Sequence, residues 1–202
     1  MAKRLGVNHE LAGELWVSGV HEARLLAGML DDPNQVTGDQ MESWAAEFDS
    51  WDVVDGICAL FDRTPFAYRK AMEWSNRPEE FVKWAAFSLM AELSVHDKDA
   101  GDEAFRPFFP IIEREAGDPR NFVRKAVNWA LRQIGKRNLA LNGEAIEVAR
   151  RIHDTGPPVG QVGGLGRAPA APERSRPVPP KEAGSVLRSG RRSDRHTREL
   201  TS

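Results

Sequence analysis

Two short segments of this chain, Phe81-Val82-Lys83-Trp84-Ala85 and Phe122-Val123-Arg124-Lys125-Ala126, coincide at an offset of 41 residues. Each lies in a stretch whose apolar residues recur at three- and four-residue spacing, and each follows an earlier helix that ends in a turn. A two-helix unit of about 40 residues cannot bury its apolar stripe alone, so it must stack on its neighbours. The fold such a repeat permits is a curved array of helix pairs, with the second helix of each pair lining the inner face.

The rest of the first 155 residues agrees with an all-α reading. Leu11, Leu15, Ala23, Leu26 and Met29-Leu30 outline two short helices, broken near Ser18-Gly19 and stopped by Asp31-Asp32-Pro33. Thr37 to Gln40 reads as a capping box, with Gln40 returning the bond, ahead of Met41, Trp44, Ala45 and Phe48. A helix is predicted from Trp51 to Phe61, and Thr64-Pro65 reads as a cap followed by proline for the next, to Trp74. Pro78-Glu79-Glu80 opens a helix to about Leu93, and Pro107 and Pro110 shorten or kink one running to Glu115. Asp118-Pro119 launches what reads as the longest helix, to Lys136, and a last one covers Gly143 to His153. No stretch alternates with period two. The fold expected is all-α, a solenoid of HEAT or armadillo type over residues 1–155.

From Gly156 the composition changes to Gly, Pro, Ser and Arg, and large apolar side chains nearly vanish. Such a segment buries too little surface to offset its conformational entropy, so residues 156–202 are expected to be a disordered tail. The tail holds nine Lys/Arg and four Asp/Glu, which leaves the body 19 basic against 26 acidic residues. An acidic body excludes nothing, because one basic face is enough to hold a polyanion. Cys58 is the only cysteine, so neither an internal disulfide nor a thiolate zinc cluster can form. The histidines are scattered without metal-ligand spacing, and His96-Asp97-Lys98 reads as a helix end. No apolar run approaches the roughly 18 residues of a membrane span. The expectation is a cytoplasmic monomer without metal, cofactor or membrane.

Two groups of residues carry possible chemistry. Trp51 and Asp55, four apart, share one face of a helix. An aromatic face beside a poorly solvated carboxylate suits a cationic ligand. The same spacing also fits a core residue extending the Phe48 stripe, with Asp52 or Asp55 capping a neighbour. Further on, Lys125, Asn128, Trp129, Arg132 and Lys136 form a basic stripe with an aromatic set into it. That surface suits phosphates and a sugar or base, or else simply meets water.

The residues Trp44, Phe48 to Asp52, Asp55, Leu60 to Ala67, Glu73 to Ser75, Val95 to Lys98 and Lys125 to Asn138 together resemble the AlkD-type DNA alkylation-repair family. The resemblance covers roughly Asn8 to His153. It implies a HEAT-like fold whose concave face holds duplex DNA. It also implies a glycosylase releasing cationic N3- and N7-alkylated purines without flipping them into a pocket. Carried over by position, Asp55 matches the catalytic carboxylate, and Trp51 and Trp129 match its aromatic partners. Lys125, Asn128, Arg132 and Lys136 become DNA-backbone contacts.

Three departures stand out. Trp84 occupies the slot where the family carries a basic residue, and Lys83 is the substitute considered, although its side chain points about 100° away. The family's further N-terminal helices are not found ahead of Asn8. After about residue 156 the family's last repeat is missing. One choice of codons for Gly160 to Pro169, read in a shifted frame, encodes Ala-Arg-Trp-Val-Ala-Ser-Asp-Ala-Leu-Arg, which looks like that repeat, so a shift of reading frame is the hypothesis for this segment. These departures keep two alternatives open: a HEAT-like binder of DNA structures without catalysis, and a protein-interaction scaffold.

Overall fold

The computed structural model describes residues 5–155, which lie within one compact unit. The expected tail and the frame-shift reading of Gly160 to Pro169 fall outside the described residues. Among these, the regular elements are all helical: α1 His9–Val17, α2 His21–Leu30, α3 Gly38–Ala46, α4 Trp51–Phe61, α5 Ala67–Trp74, α6 Glu80–His96, a 3-10 turn Asp102–Ala104, α7 Phe108–Glu115, α8 Asn121–Gly135 and α9 Leu139–Thr155. No described helix is long and apolar enough to cross a membrane.

The packing follows the repeat. Helices α2, α4, α6 and α8 pack each against the next as one layer, and α1, α5 and α7 back onto α2, α6 and α8. The two segments related by the 41-residue offset are the starts of α6 and α8, which form the most extensive helix pair in the protein. Helix α9 packs on α7 and α8.

Between α2 and α4 the backbones approach so closely that a Cβ on Gly28 would lie 2.8 Å from Ile57 Cδ1 and 3.2 Å from Gly56 O. Glycine there permits the contact. Behind this layer runs an aromatic spine. Trp16 stacks on Trp44 at 4.2 Å with 3° between planes, Trp44 meets Phe61 at 6.1 Å, and Phe61 meets Trp74 at 6.2 Å. The buried Trp74 indole donates to Glu42 at 2.8 Å, and Lys70 reaches the same oxygen at 2.6 Å. The polar atom of this large ring is therefore satisfied by a charge pair rather than stranded.

Several local readings are corrected. Thr37 does cap α3, accepting from Gln40 N at 3.1 Å, but the Gln40 side chain bonds Asp31 instead of closing the box. Thr64 does not cap α5: its hydroxyl donates backwards to Phe61 O at 2.7 Å, and α5 starts only at Ala67. Helix α6 runs three residues past Leu93, to His96. Helix α8 is not the longest, since α6 and α9 each have 17 residues against its 15. Helix α9 begins at Leu139, four residues before Gly143, because Asn138 accepts from Leu141 N at 2.9 Å and caps it.

Candidate nucleic-acid interface and carboxylate site

The candidate residues come from the α4, α6 and α8 layer. In α4 the apolar face of Val53, Val54, Ile57, Cys58, Leu60 and Phe61 is buried. That places Trp51 and Asp55 on the other side. Trp51 is 58% exposed, which removes the reading of it as a core residue.

Asp55 is half-buried and faces α6. Trp84 Nε1 donates to its Oδ1 at 3.1 Å, and Ser88 Oγ donates to the same oxygen at 3.0 Å. Both donors belong to buried residues. Burial pushes the Asp55 carboxyl up from its ordinary value, the two hydrogen bonds oppose that, and the charge of Asp52 adds to it. Asp52 behaves in the opposite way. Burial works against its charge too, but its hydrogen bond with His21 at 2.8 Å holds its pKa below the ordinary value. Environment thus separates two carboxylates three residues apart, one kept firmly ionised and one more basic.

The Trp84 N–H is a neutral donor, so it holds the orientation of the carboxylate without neutralising it. The Trp84 ring lies 5.4 Å from Phe122 of α8, and Lys125 Nζ sits 5.4 Å from the Phe122 ring centroid. A continuous contact path runs from Asp55 through Trp84 and Phe122 to the first cation of the basic stripe. Trp84 and Ser88 as partners of Asp55, and Phe122 as a bridge, were missed by sequence reasoning. Their contacts join residues 29 to 38 positions apart, which helical spacing does not report.

Along α8, Lys125, Asn128, Arg132 and Lys136 are exposed and Trp129 is half-buried. Asn121, Arg124, Lys125, Asn128, Trp129 and Arg132 line one shallow depression, so the stripe as far as Arg132 shares a surface with its aromatic, while Lys136, just past the end of α8, lines a second depression with Asn128 and Arg132. Arg124 is an addition to the stripe that the sequence reading left out. Lys83 does not join this group. Its Nζ pairs with Glu115 at 2.5 Å and lies 3.9 Å from Asp118, with the side chain only 12% exposed. It ties α6 to α7 and cannot substitute for a cation beside Asp55.

The ion-pair pattern sharpens the contrast. Arg24, Arg63, Arg69, Lys70, Arg77, Lys83, Arg106, Arg114, Arg120, Arg150 and Arg151 each lie within ion-pair distance of a carboxylate. Arg124, Lys125, Arg132 and Lys136 form no ion pair among the described residues, although the body is acidic; nor do Lys98 and Arg137, and Arg137 donates instead to the main-chain carbonyls of Ser94, Asp97 and Ala100. An acidic protein that leaves four neighbouring cations of one helix uncompensated presents a surface suited to an external anion.

The fold and this surface together describe a HEAT-like helical-repeat protein with a basic, aromatic-lined face. Residues 1–157 match the family described as "DNA alkylation repair enzyme", and the chain belongs to that family. No curated protein matches it. Among solved structures it is similar to one described as belonging to "a new family of proteins related to the HEAT-like repeat DNA glycosylases with affinity for branched DNA structures". That likeness has a TM-score of 0.67 at 19% identity and covers 75% of this chain. The chain spans 66% of that protein's length, just under two thirds, and identity this low speaks for the fold alone.

Proposed function

We propose that this protein is a DNA glycosylase of alkylation repair, hydrolysing the N-glycosidic bond of cationic N3- or N7-alkylated purines in duplex DNA. The observation that carries the reading is the placement of Asp55. Its carboxylate is oriented by two buried donors, stands one turn from the exposed Trp51, and connects through Trp84 and Phe122 to the unpaired cations of α8.

The chemistry asks for little more. A cationic purine leaves as a neutral base, so no acid is needed to protonate it. What must be stabilised is positive charge developing on the sugar. A half-buried carboxylate does this well, because low local polarity strengthens the attraction and the group is already positioned. Asp55 also orients the attacking water, and its raised basicity favours drawing off the water's proton. Trp51 offers a ring face to the sugar cation. Lys125, Asn128, Arg132 and Lys136 hold the backbone, with Trp129 against the deoxyribose.

One observation favours a second reading. Trp84 gives the site a neutral donor where the family carries a cation, which weakens its hold on a phosphate beside the lesion. The chain would then be a DNA-structure binder without catalysis, as the affinity for branched DNA described for the similar solved protein suggests. Incubation with methylated duplex and with branched duplex separates the two. The first reading predicts free N7-methylguanine from the methylated duplex. Salt-dependent binding to branched DNA with no base released would replace it with the second.

A further inference from the structure

Two turns along α4 from Asp55, Asp62 ends the helix with its side chain fully buried. Two residues of α6 face it. His96 Nδ1 lies 2.5 Å from Asp62 Oδ2 and 3.4 Å from Glu92 Oε2, and one donor atom from each of the three residues falls within 4.8 Å of the others. The sequence reading took His96 for a helix end, because Asp62 lies 34 positions away on another helix.

The cluster is not a finished hydrogen-bond network. Asp62 Oδ1 is buried and has no hydrogen-bond partner. The nearest cation, Arg63 Nε, is 4.0 Å from it and donates to Ala59 O instead. A buried carboxylate oxygen without a donor is costly, and such atoms in native proteins call for an explanation. By contrast the Asp55 carboxylate accepts from Trp84 and Ser88.

We infer that Asp62, Glu92 and His96 form a binding site for a divalent metal ion. Two carboxylates and one imidazole are a borderline ligand set that suits Zn²⁺ or Mn²⁺ better than Ca²⁺ or Mg²⁺. Metal–ligand bonds of about 2.0–2.2 Å hold ligand atoms roughly 3.3 Å apart. The His96–Glu92 separation already meets that spacing. The His96–Asp62 contact opens by somewhat under 1 Å when the shared proton gives way to the metal. A half-exposed His96 leaves the outer side of the ion open to water. Asp62 Oδ1 gains its missing partner either as a second ligand oxygen or through metal-bound water. By the rise of an α-helix the ion sits about 10 Å from Asp55 along α4, on the same face. The site does not rest on the glycosylase reading and stands or falls separately.

The test is calorimetric titration of the metal-stripped full chain with Zn²⁺ alone, in a buffer that does not chelate. The inference expects one Zn²⁺ per chain. His96→Gln and Glu92→Gln should each weaken binding by more than about tenfold, the least that even outer-shell partners of a metal site contribute. Circular dichroism shows whether each variant is folded, and either folded variant suffices. Absence of binding to the wild type overturns the inference. So does binding that both substitutions leave unchanged, which would place the ion on another histidine.

Discussion

Replacing Asp55 in two ways separates its charge from its role as an acceptor. Trp84 Nε1 and Ser88 Oγ both donate to Oδ1. Asp55→Asn keeps a carbonyl oxygen at that position, so both bonds survive while the charge is lost. Asp55→Ala removes the acceptor and strands two donors of buried residues, at about 1–3 kcal/mol each. The charge itself costs the fold something, since burial raises the Asp55 pKa above its ordinary 3.8. A raised native pKa means that the native state binds the proton more tightly. The stability of the wild type relative to Asp55→Asn therefore falls as pH rises from 3.8 through the raised value, and stays lowered above it. Urea unfolding at neutral pH should show Asp55→Asn at least as stable as wild type, with Asp55→Ala well below both. Repeated near the ordinary carboxylate pKa, the advantage of Asp55→Asn should disappear. An Asn variant destabilised as strongly as the Ala variant would refute the reasoning, because the charge would then be holding the fold together.

Gly28→Ala should lose on the order of 1 kcal/mol net, since overpacking against the buried Ile57 Cδ1 at 2.8 Å and the Gly56 carbonyl at 3.2 Å outweighs the roughly 1 kcal/mol alanine gains over glycine in a helix; thermal unfolding measures it. Trp84→Phe keeps a ring against Phe122 but deletes one donor to Asp55. It should lose about 0.5–1.5 kcal/mol of stability and move the acid limb of any excision activity to higher pH, read from a pH–rate profile. Lys125→Ala and Arg132→Ala should weaken duplex binding at all sequences, each lowering the salt-dependence slope by about 0.9. An unchanged slope in a titration over salt concentration would remove that residue from the backbone contacts.

The all-α repeat was legible because local rules write it directly. Helix α4 falls on its predicted bounds, Trp51 to Phe61, and the 41-residue offset marks the two helices that pack most extensively. The first turn of α9 was not legible, because Leu139 is exposed and breaks the apolar period while Asn138 does the capping. Thr64-Pro65 has the composition of a start signal, yet a hydroxyl free to bond either way closes the preceding helix. At the site, Trp51, Asp55 and the α8 stripe came from spacing and resemblance together. What spacing could not supply was tertiary. Trp84 proved to be the donor to Asp55, Lys83 was already committed to Glu115, and His96 belonged with Asp62 and Glu92. All of those pairings but His96 with Glu92, four apart on α6, join different helices, and helical periodicity says only which way a side chain leaves its own.

The central claim is that Asp55 does the chemistry on an alkylated purine. Single-turnover release of N7-methylguanine from methylated duplex, with wild type and Asp55→Asn compared at protein concentrations that saturate the DNA, tests it most directly. The account predicts release above spontaneous depurination for wild type and none above it for the variant, with duplex binding retained by both. Equal release from the two proteins, or none from a wild type that binds the duplex, would contradict it.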